Sequence, residues 1–498
     1  MADFTYVGQD DAALSTTQLA RITLRAAYQN HSAVLESIDR LSSSRAWHRG
    51  FQTPYSLGTV AEFDSKLSMR NIVESGLAEL QAHVRLEKSR KTTLTATLHK
   101  AWQDPDRVVF FSIRGLGERS KPKPAQAAAK LQVDRFLAEP GLEVAMEHLA
   151  TRSSGAPANT VLVAMGALAE FAPTKEWLSW DGKVAAIARH GDSARWLELF
   201  RFVRKTGGEL LVPVTIARTR GLPEEPSDEQ LAHAAGLDIV SETEDVVAFL
   251  ARLNAKRTER LVLGSYLYSP GVKHIRVSVA ADAITQTFCE NMPKERIALA
   301  WTATPTDSVC APASVGHSQI ERSRSRKFTT KTRDALLNLL GWLRTPNPEF
   351  FEAEDGQLVL LETSIHLQGP SYLFAKRIQR WRAYWAWLRG IPVSYQVAPP
   401  ATTRSVLGAS DLLTHTYAGA PEFGIEPHPI EFARLECALL LLRDLTDKDA
   451  AANNFAAPLT ALVTDTAIHG GLWRLPYRQS SVWVPATIWG RFAKVKTA

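Results

Sequence analysis

The sequence predicts an α/β protein: a doubly wound, mainly parallel sheet with a helical N-terminal region and a C-terminal extension. Three observations carry that expectation. From about residue 156 onward, apolar runs of strand length alternate with amphipathic segments of helix length, the pattern of a sheet covered on both faces. The chain has 498 residues, 45% hydrophobic and 22% charged, enough for a sizeable core and more than one domain. Third, residues 357–405 read as a complete β-α-β unit: a strand at Leu358–Leu361, a turn through Gly369-Pro370, a helix ending near Gly390, and a strand at Val393–Val397.

Taken in order, residues 1–104 read as helical, with helix-period apolar positions over Thr17–Tyr28, Ser32–Leu41 and Ser68–Leu86. No chemical motif lies there, so a lid, an oligomer surface or a partner-docking role is open beside plain packing. Residues 105–155 form a connector: a strand at Arg107–Ile113, a Gly115-Leu116-Gly117 turn read as a surface loop, helices from Ala125 to Ala150, and a linker at Thr151–Pro157. The core, 156–406, has strands at Thr160–Ala164, Val184–Ala188, Leu210–Val214, Leu261–Ser265, Ile297–Trp301, Leu358–Leu361 and Val393–Val397. Helices fit between them at Asp192–Lys205, Asp228–Leu253, Ala280–Glu290 and Lys331–Leu343, which suits a Rossmann-like sheet. The extension, 407–498, carries one strong helix, Ile430–Leu445. It then runs into a Gly- and Arg-rich loop, His469–Ser481, suited either to packing or to closing over a phosphate.

Composition excludes several classes. No apolar run approaches the ~18 residues of a membrane span, and the acidic start MADFTYVGQDD is unlike a secretion signal, so a cytoplasmic protein is expected. Three widely spaced cysteines and thirteen scattered histidines show no metal-ligand spacing and no disulfide framework. A net charge of +6 favours anionic small molecules but is no nucleic-acid signature. The run Glu321–Lys327 with Lys331 and Arg333 reads as a solvated basic loop, or as a dock for an acidic carrier protein. Gly316-His317-Ser318-Gln319-Ile320 lacks the second glycine of a nucleophile elbow, which removes a serine hydrolase.

The chemistry concentrates at Tyr372-Leu-Phe-Ala-Lys376. Four residues apart on a helix, the phenol and the ammonium share one face, and a nearby cation favours the ionised phenol. Ser364, after the preceding strand, is placed to donate to a carbonyl on which oxyanion character develops, with Thr363 and Ser371 competing for that part. Serine, Tyr-x-x-x-Lys and a strand ending in Val397-Ala398-Pro399 resemble the active-site half of the short-chain dehydrogenase/reductase superfamily. The resemblance extends to the ketoreductase domains of fatty-acid and polyketide synthases, which share an Arg-Trp pair later in the helix, here Arg380-Trp381. It implies Tyr372 as proton donor, Lys376 as its activator and ligand of the nicotinamide ribose, Ser364 as carbonyl polariser, and Pro399 beside the cofactor. It also implies NADPH as cofactor and an acyl or polyketide-like substrate, free or carrier-bound.

The loop after the first core strand departs from that family. Gly166 is in place, but Glu170 and Ala172 stand where the phosphate-binding pattern has its other glycines, and a carboxylate there repels a pyrophosphate unless it turns away or meets a cation such as Lys175. Arg189, after the second strand, replaces the acidic residue that selects NAD and suits the 2′-phosphate of NADP. Because of this loop, two alternatives stand beside the reductase: a methyltransferase using S-adenosylmethionine, and a catalytically silent Rossmann scaffold.

Overall fold

The computed structural model describes residues 4–8, 11–87, 89–151, 155–326, 328–361, 368–408 and 411–492. Seven strands build the central sheet: β1 (Val108–Arg114), β2 (Thr160–Met165), β3 (Lys183–Ile187), β4 (Glu209–Thr215), β5 (Arg260–Ser265), β6 (Ile297–Ala303) and β7 (Val393–Val397). Their spatial order is β7-β6-β5-β2-β3-β4-β1. All neighbours are parallel except β1, which closes one edge antiparallel to β4. Counted from β2, the six parallel strands run 3-2-1-4-5-6, the dinucleotide-fold order, so strand order reverses between β2 and β5.

Period-two burial sorts the strands between two cores. In β2, Val161, Val163 and Met165 face one, while Leu162 and Ala164 face the other. The first core holds the N-terminal helices and the helix Gly369–Trp387, called here the tyrosine helix. The second holds Trp177, Trp196 and Leu439–Leu442 of the helix Ile430–Thr446.

One predicted strand lies elsewhere. Leu358–Leu361 belongs not to the parallel sheet but to a separate antiparallel one, Gly356–Leu361 paired with Glu349–Ala353 and Val309–Pro312. A short apolar run looks the same in either setting. The hairpin signal is Glu354-Asp355-Gly356, whose glycine takes φ 99°. This small sheet is inserted between β6 and the tyrosine helix, so the strand preceding the tyrosine in the main sheet is β6. The long helix read over Asp228–Leu253 is two, Asp228–Ala234 and Thr243–Lys256, separated by Gly236 at φ 102°. Residues 1–104 are mainly helical, with three short strands, Phe4–Tyr6, Val84–Leu86 and Ser89–Thr93. Among the described residues no helix is long and apolar enough to cross a membrane.

The tyrosine helix is buried on almost every side, Arg377, Arg380 and Arg382 included. Lone buried cations are prohibitively expensive, so each has a partner. Glu62, in the helix Gln52–Phe63, accepts from Arg377 Nη1 (2.6 Å), Arg380 Nη2 (2.8 Å), Trp381 Nε1 (2.7 Å) and the Tyr28 hydroxyl (2.6 Å). Arg380 also reaches Asp307 Oδ2 at 2.9 Å, and Arg382 pairs with Asp282 at 2.6 Å. Burial alone would raise the Glu62 carboxyl, but Arg377, Arg380 and the two hydrogen bonds outweigh it and hold it below its ordinary value. Glycine at 76 completes the contact: a Cβ there would stand 2.5 Å from the Trp381 ring. Replacing Glu62 by Gln leaves two buried guanidiniums undercompensated, and equilibrium urea unfolding is expected to show a loss of about 3–5 kcal/mol. Because the folded carboxyl is held low, the wild-type advantage is complete above the ordinary carboxylate range and fades as pH falls through the folded value.

Candidate functional site

The tyrosine helix begins at Gly369, at φ 71°, with Pro370 in its first turn, and ends where Gly390 takes φ 78° and its N–H meets the Trp387 carbonyl. These ends set Tyr372 and Lys376 in the first two turns of a helix packed on β6 and β7, with Tyr372 beside Thr304 just past the carboxyl end of β6, where ligands bind in open α/β sheets.

The hydroxyl of Tyr372 faces Thr304, immediately beyond the end of β6, whose hydroxyl favours the ionised phenol. Thr304 Oγ1 lies 2.8 Å from Thr306 Oγ1 and accepts from the Thr306 N–H, so three hydroxyls run in a chain into the loop that carries Asp307. Ser364 and Thr363 lie outside the described residues, and Ser371 sits half-buried in the first turn of the helix. The strand next to the tyrosine helix in the main sheet is β6, so Thr304 brings a hydroxyl to the phenol from that strand's end.

Lys376 shares the face with Tyr372, and its Nζ lies over the phenol ring, 5.8 Å from the centroid. It is 8% exposed and donates to Gln379 Oε1 at 3.2 Å, and Gln379 in turn donates to Ser278. Among the described residues no carboxylate forms an ion pair with it. Burial pushes the ammonium down to about 8, against a partial pull from Asp307. For Tyr372, burial pushes the phenol upward, and the Thr304 hydroxyl offsets only part of this. Burial dominates the acidity of Tyr372, and the lysine sits over its ring.

His274, which no spacing in the sequence singled out, completes the cluster. It packs edge-on between Tyr268 and Tyr372, with centroids 5.3 and 5.4 Å away. Its Nδ1 lies 3.1 Å from the Ser269 carbonyl, which fixes the proton there and leaves the buried Nε2 an acceptor with no partner. Burial, then the charge of Lys376, pushes the imidazole down to about 3, so it is neutral.

The expected cofactor residues occupy the same edge. Gly166 follows β2 at φ 85°, where a Cβ would come within 3.1 Å of the Tyr266 carbonyl. Glu170 is held by Arg404, through its N–H and its Nε, both 3.2 Å away. Lys175 pairs instead with Glu198 at 2.8 Å. The loop also spends amides on its own chain: Gly166 and Ala167 donate to the Ile187 carbonyl, Ala169 to Gly166, and Ala172 to Ala169. The helix that follows, Thr174–Ser179, has six residues. Arg189 is 71% exposed beyond β3 and meets Asp238 at 3.3 Å. Pro399 is buried just past β7, where Ala398 N–H bonds the Ala303 carbonyl. Where the family carries asparagines after the fourth parallel strand, Tyr266 folds back over Gly264, at which a Cβ would lie 2.6 Å from its ring.

Two other expectations resolve structurally. Gly115 and Gly117 make close backbone approaches to Thr206 and Lys205, the surface-loop reading. The basic run is only partly solvated: Arg322 lies over the Phe136 ring, and Arg326 and Arg333 both pair with Asp334.

No family model matches this sequence, and no curated protein matches it. Among solved structures it is similar to a thiolation-reductase di-domain from an archaeal non-ribosomal peptide synthetase. The match has 12% identity and a TM-score of 0.31, and covers 85% of this chain and 75% of that one. A likeness of that score supports no statement about activity.

Keeping Lys376 buried costs stability, and the cost has a pH signature. The unfolded lysine titrates near 10.5 and the folded one near 8, so below pH 8 both forms carry the charge and the folded state bears its full desolvation. Lys376→Met is therefore expected to raise stability at pH 7, by at most about 3 kcal/mol at about 1.4 kcal/mol per pH unit. The gain should shrink between the folded and the unfolded value. Thermal unfolding of both proteins across that range measures it.

Proposed function

We propose that this chain is an oxidoreductase of the short-chain type that reduces a carbonyl to an alcohol at Tyr372. The observation that carries the reading is the placement of Thr304 beside the Tyr372 hydroxyl. It joins the end of the fifth parallel strand to a Tyr-x-x-x-Lys helix at the ligand-binding edge of a 3-2-1-4-5-6 sheet. A charged lysine buried beside that phenol, with no ion-pair partner among the described residues, supports it.

Tyr372 gives its proton to the carbonyl oxygen as negative charge develops there. Thr304 donates to the phenolate that remains, and Thr306 stands behind it to pass a proton inward. Lys376 supplies positive charge to the same volume and a donor for a ribose hydroxyl. The residues fit the reacting end of a nicotinamide cofactor: a half-buried phenol, a lysine with donors to spare, and Gly166 in a conformation that favours glycine. That cofactor, when bound, would supply the hydride. Gly166 would approach its phosphates and Pro399 its nicotinamide side, while Arg189 would meet the 2′-phosphate of NADPH with charge-assisted hydrogen bonds that a bare hydroxyl cannot make. An acyl or polyketide-like substrate, free or on an acidic carrier, is the class we assign.

A second reading rests on a specific observation. The loop 166–173 spends two amides on the Ile187 carbonyl and two within itself, and leads into a six-residue helix, which suits a Rossmann scaffold without its dinucleotide.

Quenching of tryptophan fluorescence separates the two. NADPH is expected to bind more tightly than NADH, with the preference erased in Arg189→Ala; if neither nucleotide binds at millimolar concentration, the scaffold reading replaces the reductase. Given binding, Tyr372→Phe should cost about 10²–10⁴ in turnover while leaving NADPH affinity within a few-fold, as removing a general acid does. Thr304→Val should lower turnover in the same sense. A Tyr372→Phe protein reducing substrate at the wild-type rate ends the proton-donor assignment.

A further inference from the structure

The Gly- and Arg-rich loop before the last helix is not part of the Tyr372 cluster. It forms one wall of an open cleft of about 270 Å³, whose facing wall is the segment 344–349. The walls are clamped through the backbone: Arg478 N–H donates to the Arg344 carbonyl (2.8 Å) and Arg344 N–H to Ser481 Oγ (3.0 Å). Each wall brings an exposed arginine to the cleft, Arg344 and Arg478, and among the described residues neither forms an ion pair with a carboxylate. The exposed Glu349 is the carboxylate on the rim.

Positive charge also stands behind the wall. Tyr477 lines the cleft, carries Arg326 5.0 Å from its ring centroid, and donates to Asp334, a buried carboxylate shared by Arg326 and Arg333. Two guanidiniums share the buried Asp334 behind, with Glu422 3.8 Å from Arg333, and two more face only Glu349 in front. Such an arrangement attracts a doubly charged group, and guanidinium forks match phosphate oxygens.

The amides of the cleft specify more. Gln319 and Gln479 spend their Nε2 donors on the carbonyls of Trp473 (2.8 Å) and Leu472 (3.0 Å). Their Oε1 atoms remain as acceptors that no donor of the described residues meets, so each can receive a hydrogen bond from a ligand hydroxyl, and each Nε2 keeps a second N–H. The volume lies just under the about 300–1,000 Å³ in which drug-sized ligands sit, so the occupant is small.

We infer that this cleft binds a small phosphate monoester bearing hydroxyl groups. Its phosphate lies between Arg344 and Arg478, and a hydroxyl donates to Gln319 or Gln479. The site is independent of the reductase reading, since it shares no residue with the Tyr372 cluster and its test reads binding alone.

Isothermal titration of the full chain with glycerol 3-phosphate, glycerate, inorganic phosphate and glycerol tests it. Glycerol 3-phosphate should bind best. Glycerate, a monoanion with the same hydroxyls, and inorganic phosphate, which lacks the polyol, should each be weaker by about tenfold, one good hydrogen-bonded contact; glycerol should not bind. Arg344→Gln and Arg478→Gln should each weaken glycerol 3-phosphate by about tenfold or more. Arg491→Gln, an exposed arginine outside the cleft, should change nothing. Absent binding, glycerate binding equally well, or equal weakening by Arg491→Gln overturns the inference; equal affinity for inorganic phosphate overturns the hydroxyl contact.

Discussion

Everything around Tyr372 depends on one buried carboxylate. Glu62 takes two guanidiniums, an indole and a phenol, and through Arg380 it is joined to Asp307 in the loop beyond β6. A helix with three buried arginines has no stable position against an apolar sheet on its own. It needs anions brought from elsewhere, and the N-terminal region brings Glu62 while the helix Lys273–Asn291 brings Asp282. The N-terminal layer is therefore not an accessory to the sheet: removing it would strand the charges that orient the tyrosine helix.

That constraint reaches the candidate site through short covalent paths. Arg377 and Arg380 follow Lys376 by one and four residues, and Asp307 follows Thr304 by three. Fixing the arginines on Glu62 and Asp307 thus fixes both members of the Thr304–Tyr372 pair. The phenol, the lysine and the threonine loop are held by a network whose members are fully buried, the kind of support that keeps a polar site in one geometry.

The architecture was largely legible from residues. Six of the seven core strands expected from apolar runs are in the sheet, and so is Arg107–Ile113, expected as a strand outside that core; these runs carry their own signal locally. What was not legible is what depends on distant partners. Leu358–Leu361 looks like a parallel strand, and only its pairing with Val309–Pro312 and Glu349–Ala353 says otherwise. The same insertion puts sixty-eight residues between Thr304 and Tyr372, so their meeting has no local signal. Arg377, Arg380 and Arg382 carry no local sign that they are buried and paired, because Glu62 and Asp282 lie far away in sequence. Glu170 was recognised as a misfit at a phosphate loop, but its partner Arg404, 234 residues on, was beyond reach. His274 had no motif at all; its interest comes from a tautomer set by the Ser269 carbonyl and from burial.

The acidity of the site argues for a direction of reaction, given the reductase reading. Burial makes Tyr372 a weaker acid than a free phenol, so it holds its proton across the pH range of ordinary catalysis. A weak acid is no obstacle to reduction, because an alkoxide forming on the substrate is a stronger base than a phenolate and takes the proton downhill. Oxidation asks the reverse, that the phenol first be ionised, and here only Thr304 and the charge of Lys376 favour that state. The lysine loses its charge near pH 8, so raising the pH to ionise the tyrosine first removes the cation that would stabilise the phenolate. On the reductase reading the two groups thus oppose each other in alkali and cooperate near neutrality, which favours proton donation over proton removal.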